Sequence, residues 1–248
     1  MAYALLDYDG FICKAYYAAV ARNEMADIEE MEDVLNSLTE CAKEKSGLEI
    51  KKVISGHTYK KDIYPSYKNH RKRNEGLGMF RDYIKIAHED LICVPQLEAD
   101  DVITMMYDKY PDSIVFSDDK DLRYYCPIYC KINLTEEISC QDNFTEKQLE
   151  QMIIGDKEDG IDGIPKVGEK TAKKLLDMYG YNIKSVIEIY KDKEINIDDC
   201  MKNLILVTPI CKELVKDYKY GLDENTTMNN IIGHFNYMNE KIKEIYNG

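Results

Sequence analysis

The 248-residue sequence predicts an α/β fold with three layers and a mainly parallel central sheet, followed by an all-helical C-terminal part. The first observation behind this prediction is that short apolar runs alternate with segments of helical periodicity as far as about residue 140. Such alternation is typical of a parallel sheet that helices cover on both faces. The second observation is that only helical periodicity follows, so the sheet is expected to end there.

The individual elements of the first part follow from these periods. Strands are predicted at 3–6, 51–55, 91–94, 113–117 and 128–133. Helices are predicted at 11–23, 27–47, 77–88 and 98–110, and the second of them is expected to close at Gly47. A further amphipathic segment, 226–248, is expected to pack on the body of the protein.

Composition and charge exclude several classes of protein. The net charge of −13 argues against a generic binder of polyanions, although residues 51–85 hold ten Lys or Arg against three Asp or Glu. The eight cysteines are scattered without a C-x-x-C pair, which disfavours a disulfide framework and a structural zinc site. Neither a signal peptide nor an apolar run of about 18 residues is present, so we expect a cytoplasmic protein, or one in the host cytoplasm if it comes from a phage, with no membrane contact.

Carboxylates follow three of the predicted strands. A single acid in this position is more often a helix N-cap than a ligand. Several acids at the carboxyl edge of one parallel sheet, however, cannot all stay ionised without a cation. Oxygen ligands select a hard ion, so the expected metal is Mg²⁺ or Mn²⁺. The acids are Asp7, Glu98, Asp100, Asp101, Asp119 and Asp121.

The stretch GIDGIPKVGEKTAKKLL, residues 160–176, places glycines directly before a lysine-rich helix. Glycine permits close approach of the backbone and a helix N terminus favours an anion, so the stretch indicates a phosphate site. The alternative is an ordinary tight connection between two helices. A further acid pair, Asp156 and Asp159, precedes the stretch, and its i, i+3 spacing would place both acids on one face.

Five motifs in one order along the chain resemble the structure-specific 5′-nuclease superfamily and, within it, the phage and bacterial 5′–3′ exonuclease and flap endonuclease family. The motifs are LLDYDGFICKAYYA, YPSYKNHR, LEADDVI, SDDKDL and IIGDKEDGIDGIPKVGEKTA, and the resemblance extends to about Leu176. It implies a PIN-like catalytic domain over 1–140 with a helical arch near 57–90. It also implies a helical domain over 141–248, with a helix–three-turn–helix (helix–hairpin–helix-like) DNA-binding motif near 150–177.

The function implied by the resemblance is two-metal hydrolysis of phosphodiester bonds at 5′ ends and 5′ flaps of DNA, in replication or repair. The expected ions are two Mg²⁺ or Mn²⁺. The residues implied for the first ion are Asp7, Glu98, Asp100, Asp101 and Asp119. Those implied for the second ion are Asp119, Asp121, Asp156 and Asp159.

The resemblance also implies how DNA is held. Lys68 and Arg71 are expected to neutralise the scissile phosphate, and Tyr67 either stacks on a frayed base or packs at the base of the arch. A bound K⁺ is expected to bridge the glycine-rich turn to the duplex. The expected partner is a DNA duplex with a 5′ flap, a 5′ end or a single-strand/double-strand junction. The protein is expected to bind it as a monomer, and the sequence does not identify a replication partner. The residues implied for duplex binding are Gly163, Lys166, Gly168, Lys170 and Lys173.

One residue departs from the family pattern. The family usually has another metal-binding Asp at the end of the strand before the arch, where this chain reads KKVISGH. Ser55 or His57 occupies that region, so either a water molecule replaces the carboxylate or another acid, Asp9 or Asp62, supplies it. The departure keeps two alternatives open: a weakly active or non-catalytic DNA junction-binding protein, and an RNA-directed PIN-type nuclease.

Overall fold

The computed structural model describes residues 1–72, 74–95, 97–133, 139–140, 145–207, 240, 243–244 and 246–247. The predicted amphipathic segment 226–248 therefore lies mostly outside the described residues. The chain divides into two compact units. The first unit comprises 1–57 and 72–142, and the second unit comprises 58–71 and 143–248.

The first unit is built around a sheet with the strand order β3-β2-β1-β4-β5-β6. The first five strands in this order are parallel, and β6 pairs antiparallel with β5. The mainly parallel α/β fold predicted from the sequence is thus confirmed. The carboxyl ends of β1 to β5 share one edge of the sheet. The strands are β1 (Tyr3–Asp7), β2 (Glu49–Val53), β3 (Leu91–Ile92), β4 (Ile114–Phe116), β5 (Ile128–Cys130) and β6 (Ser139–Cys140).

Helices cover this sheet, and their ends follow local rules. Asp27 and Glu30 form a capping box before α2, and Gly47 closes that helix in the left-handed conformation, as the sequence predicts. The helices of the first unit are α1 (Tyr8–Arg22), α2 (Ile28–Ser46), α4 (Glu75–Ala87), α5 (Ala99–Lys109) and α6 (Lys120–Tyr125). Those of the second unit are α3 (Lys60–Ile63), α7 (Thr145–Ile154), α8 (Glu169–Tyr179), α9 (Ile183–Asp192) and α10 (Ile197–Leu206).

The core of the first unit fixes the carboxyl edge of the sheet. Leu6 of β1 is fully buried in one hydrophobic cluster with Phe11 of α1, Leu35 of α2 and Ile84 of α4. Leu5, also fully buried, faces the opposite side because successive strand residues alternate, and α5 packs against β1. The strand end at Asp7 is therefore held between two packed layers.

The second unit is helical apart from one short hairpin. Strands β7 (Gly155–Asp156) and β8 (Ile161–Asp162) pair antiparallel between α7 and α8, so the expectation of helices alone after residue 140 needs this correction. Gly163 is required by packing, because a Cβ there would lie 2.0 Å from the carbonyl carbon of Ile154. Within the described residues, every helix is too short or too polar to cross a membrane.

The region predicted as an arch, 57–90, divides between the two units. Residues 58–71 pack with the second unit, whereas 72–90 pack with the first. This grouping differs from the predicted boundary at 140, which assigned the whole region to the catalytic domain. The arch and the two domain ranges remain predictions.

Candidate metal centre and phosphate-binding residues

Asp7 ends β1 at the carboxyl edge of the sheet, next to the residues that follow β4. The Ser117 hydroxyl donates a hydrogen bond of 2.6 Å to Asp7 Oδ2. Burial raises the pKa of Asp7 to about 7, and the nearby carboxylates of Asp9 and Asp119 add to this shift, whereas the Ser117 hydrogen bond opposes it. Burial and the neighbouring carboxylates therefore both disfavour the ionised form of Asp7.

Asp119 and Asp121 lie where β4 passes into α6. Asp119 is the N-cap of α6, and its Oδ1 accepts a hydrogen bond of 2.7 Å from the Asp121 backbone N–H. The Asp119 backbone N–H in turn donates to Ser117 Oγ at 3.0 Å. The capping interpretation is thus confirmed for Asp119, and the same hydroxyl of Ser117 connects its backbone to the Asp7 carboxylate.

Glu98, Asp100 and Asp101 form a carboxylate group at the start of α5. One oxygen from each lies within 4.8 Å of the others, and among the described residues this is the group compact enough to hold a metal ion. Glu98 and Asp101 are buried, with exposed fractions of 8% and 0%. Since the group contains only carboxylate donors, it fits a hard divalent cation better than zinc or copper.

The structure thus places the five acids predicted for the first ion in two groups at one sheet edge. Glu98, Asp100 and Asp101 form the compact group, and Asp7 interacts electrostatically with Asp119. The carboxyl ends of parallel β1, β3 and β4 bring these groups to the same edge.

A further acid, Asp9 of α1, reaches the residues after β2, where the family pattern has a carboxylate that this chain lacks. Asp9 Oδ2 accepts a hydrogen bond of 2.8 Å from the Ser55 backbone N–H, and Asp9 Oδ1 accepts one of 2.6 Å from Arg81 Nε. Arg81 also donates to the Ser55 carbonyl at 2.8 Å. A carboxylate from α1 therefore reaches the position of the missing strand-end Asp.

Ser55 connects this corner to the compact acid group. Its hydroxyl accepts a hydrogen bond of 2.9 Å from the Ala99 backbone N–H, at the start of α5. The sequence singled out Ser55 only as a missing ligand and left Asp9 and Asp62 as equal substitutes. The D-x-D spacing of Asp7 and Asp9 was the available signal. β1 ends at Asp7 and α1 begins at Tyr8, so the backbone changes direction between the two acids and the Asp9 carboxylate reaches Ser55.

In the second unit, the residues predicted to contact the scissile phosphate surround one acid. Asp159 forms an ion pair with Arg71 Nη2, lies 3.6 Å from Lys68 Nζ and accepts a hydrogen bond of 3.2 Å from the Tyr67 hydroxyl. Tyr67 is 1% exposed, so its ring is not available for a base in this conformation. Of its two interpretations, packing is the one this geometry favours.

Asp156, the other acid of the predicted second site, is held in the β7–β8 turn. Its Oδ2 accepts a hydrogen bond of 2.9 Å from Gln151 Nε2, and its Oδ1 accepts one of 2.8 Å from the Glu158 backbone N–H. The Asp159 backbone N–H donates to the Asp156 carbonyl at 3.2 Å, so the two acids belong to one tight turn. Their role as ligands remains a prediction.

The glycine-rich turn precedes α8 and leaves the N terminus of this helix exposed to solvent. Gly168 is the N-cap of α8 and has no side chain to cap the first N–H groups of the helix. No protein atom lies within 4 Å of the position a Cβ would take at Gly168. Lys166, Lys170 and Lys173 are all exposed around this helix start. The arrangement suits an anion.

The first unit is a PIN-like α/β domain with an acidic sheet edge, and the second unit is helical with a glycine-rich turn before α8. Residues 2–152 match the model of the family described as 5′-3′ exonuclease, N-terminal resolvase-like domain. This range is more than half of the chain, so the chain belongs to that family. The family membership that the five motifs indicate is therefore confirmed.

Individual relatives agree with this assignment. The chain is 26% identical over 222 residues to a 5′-3′ exonuclease of Buchnera aphidicola, covering 80% of this chain and 72% of the relative. It is 29% identical over 185 residues to a 5′-3′ exonuclease of Mycoplasmopsis pulmonis, covering 66% of this chain and 58% of the relative. A solved complex of the bacteriophage T5 D15 flap endonuclease with DNA and metal ions is similar in fold, with a TM-score of 0.63, 13% identity and full coverage of both chains.

Proposed function

We propose that the protein is a divalent-metal-dependent nuclease that cleaves DNA at 5′ ends and 5′ flaps. The observation that carries this proposal is the sheet edge with its carboxylate-only donors, found in a chain of the 5′-3′ exonuclease family. The names of the relatives, 5′-3′ exonucleases and a flap endonuclease bound to DNA and metal ions, support the same activity. We further propose Mg²⁺ as the ion, K⁺ at the glycine-rich turn, a monomer as the active form and a role in replication or repair.

A divalent ion held by these acids would supply a water with a lowered pKa and neutralise charge on the phosphate. Glu98, Asp100 and Asp101 would hold it, with Asp7 and Asp119 as the adjoining ligands. Ser117 orients the Asp7 carboxylate through its 2.6 Å hydrogen bond. Asp7 must lose its proton to serve as a ligand, so its raised pKa couples metal affinity to pH.

The residues of the second unit would act on DNA. Lys68 and Arg71 are proposed to neutralise the scissile phosphate, and the N terminus of α8 with Lys166, Lys170 and Lys173 to hold the duplex backbone. Contacts from backbone N–H groups and lysines to phosphate do not distinguish one base sequence from another, which suits an enzyme that selects a DNA structure. Asp121, Asp156 and Asp159 are proposed ligands of the second ion.

The test is incubation of a labelled DNA duplex carrying a 5′ flap with the protein in Mg²⁺, in Mn²⁺ and in EDTA. We expect short 5′ products in either metal and none in EDTA, resolved by length on a gel. Two further substrates are tested in parallel: a duplex with an RNA flap and a blunt DNA duplex. Binding without cleavage in both metals would identify a junction-binding protein, and cleavage of the RNA flap alone would identify an RNA-directed nuclease.

A further inference from the structure

Asp159 contacts both cations that are proposed to act on the scissile phosphate. We propose that Asp159 is their internal counter-ion, a positioning residue that holds Lys68 and Arg71 together and for which incoming DNA phosphate substitutes. This inference rests on the proposed function, since it takes a DNA phosphate as the competing anion. It adds a charge exchange to that function, in which the two cations pass from a protein carboxylate to the substrate.

The geometry shows that one carboxylate serves two cations. The side chains of Asp159 and Lys68 are 14% and 21% exposed, so their attraction is less screened than that of a surface pair. Arg71 is 55% exposed and keeps much of its guanidinium in solvent while it pairs with Asp159. A phosphate that took the place of this carboxylate would meet both positive charges.

The backbone around Lys68 supports a held arrangement. Lys68 has φ of 57°, in the left-handed region that is unfavourable for a residue with a Cβ. Its backbone N–H donates a hydrogen bond of 3.1 Å to the Asp159 carbonyl, and its ammonium lies 4.7 Å from the centre of the Tyr67 ring. Unfavourable backbone conformations persist where neighbouring contacts fix them, and they are concentrated at functional sites.

The turn that carries Arg71 is fixed to the same acidic turn by further contacts. His70 Nε2 lies 2.8 Å from the Glu158 carbonyl, and Arg71 Nε donates to that carbonyl at 3.5 Å. The turn that carries Lys68 and Arg71 therefore keeps its contacts to the backbone of residues 158–159 if the Asp159 charge is removed. Loss of the charge should release the two side chains without displacing the turn.

The first experiment measures DNA binding in EDTA by fluorescence anisotropy with the labelled 5′-flap duplex. Asp159→Asn should bind about fivefold or more tightly than wild type, and the slope of log K against log salt should steepen by about one to two units, the value for one or two added phosphate contacts. The matched control is Asp198→Asn, which removes an exposed charge from the first turn of α10 in the same unit. It should leave the slope unchanged. Equal slopes for both variants would overturn the proposal.

The second experiment isolates Arg71 and does not depend on the folding of an Asp159 variant. Arg71→Gln in the otherwise native protein should cost little DNA affinity in EDTA, because Asp159 competes for this cation. In Ca²⁺, a divalent ion on Asp159 would take up its charge, and the same substitution should cost about fivefold more. An identical loss in EDTA and Ca²⁺ would contradict the counter-ion role. Absence of DNA binding by the native protein in both conditions would instead contradict the proposed function.

Discussion

Asp7 in the first unit and Asp159 in the second unit differ in what balances their charge. At the carboxyl edge of the sheet, Asp7 faces Asp9 and Asp119, and these carboxylates help burial to raise its pKa to about 7. In the second unit, Asp159 faces the cations Lys68 and Arg71. Asp7 is neutralised by a proton or by an added cation, whereas Asp159 is paired with cations of the protein itself. Under the proposed function, the sheet edge would bind an ion, and Lys68 and Arg71 would exchange Asp159 for a DNA phosphate.

The sharpest test of the first half of this comparison is Asp119→Ala. The cleavage rate should fall by at least about 100-fold, because even substitutions in the outer shell of a metal site cost 10- to 100-fold. Binding of the flap duplex should persist or strengthen, since a charge that repels phosphate has been removed. Single-turnover cleavage in Mg²⁺ and anisotropy in Ca²⁺ measure the two effects separately.

Asp112→Ala is the control for this substitution. Asp112 is an exposed acid two residues before β4, so the substitution removes the same charge at the opposite end of this strand from Asp119. It should cleave at the wild-type rate. A near-normal rate for Asp119→Ala would show that the residue is only the N-cap of α6.

The raised pKa of Asp7 predicts how stability depends on pH in EDTA. The folded pKa of about 7 lies above the ordinary value of 3.8, so the folded protein holds a proton that the unfolded chain has lost between these values. This contribution to stability is complete below about pH 4 and is lost as the pH rises through 7. A shift of this size corresponds to at most ~4 kcal/mol. Thermal unfolding between pH 4.5 and 8 measures it.

Asp7→Asn removes the titrating group and serves as the comparison. Its melting temperature should vary less over this pH range than that of the wild type. Saturating Mg²⁺ should flatten the wild-type profile above pH 7, because the ion then compensates the ionised carboxylate. Parallel profiles for both proteins in EDTA would mean that Asp7 ionises normally and that the edge is not crowded with charge.

The corner at the end of β2 predicts a smaller effect. Asp9→Asn should raise the Mg²⁺ concentration for half-maximal cleavage by about tenfold, because it removes the carboxylate that reaches this strand end. Ser55→Asp should lower that concentration, since it adds a carboxylate beside the Ala99 backbone N–H. His57→Asp adds the same charge at an exposed position and is the control. Equal requirements in all four proteins would remove this corner from the metal site.

Much of the first unit could be predicted from local pattern. The hydrophobic periodicity predicted the parallel strands, because strands buried on both faces are apolar runs. Gly47 predicted the end of α2, because glycine favours a left-handed cap. The acids after β1, β3 and β4 could be assigned to one edge for the same reason. Strand limits were less accurate: β3 was predicted at 91–94 and spans Leu91–Ile92, since hydrogen bonding to a neighbouring strand decides where a strand ends.

Contacts between distant residues were harder to predict. No periodicity indicates that Asp9 reaches the Ser55 backbone N–H 46 positions away, or that Arg81 of α4 forms an ion pair with Asp9. Nor does the sequence indicate that Lys68 and Arg71 share Asp159, because that cluster depends on how 58–71 packs within the second unit. Charge compensation is a property of side chains brought together by tertiary structure.

The smallest expected effect concerns the glycine-rich turn, which carries exposed lysines. Lys170→Ala should weaken duplex binding regardless of sequence and reduce the slope of log K against log salt by about one unit, as expected for one lost phosphate contact. Single-strand binding should change less. Lys184→Ala, an exposed lysine of α9 in the same unit, should leave the slope unchanged. An unchanged slope for Lys170→Ala would mean that the turn only connects two helices.

Gly168→Ala sharpens the same test because it changes shape instead of charge. Its φ of −110° is open to alanine, and no protein atom lies within 4 Å of the added Cβ, so the free protein should lose no more than ~1 kcal/mol of stability. If duplex backbone approaches the N terminus of α8, the methyl group meets phosphate and binding should weaken several-fold, with the salt slope of the wild type. Melting temperature and anisotropy together separate these effects. Unchanged affinity would place the duplex away from this helix start, leaving the lysines to act at a distance.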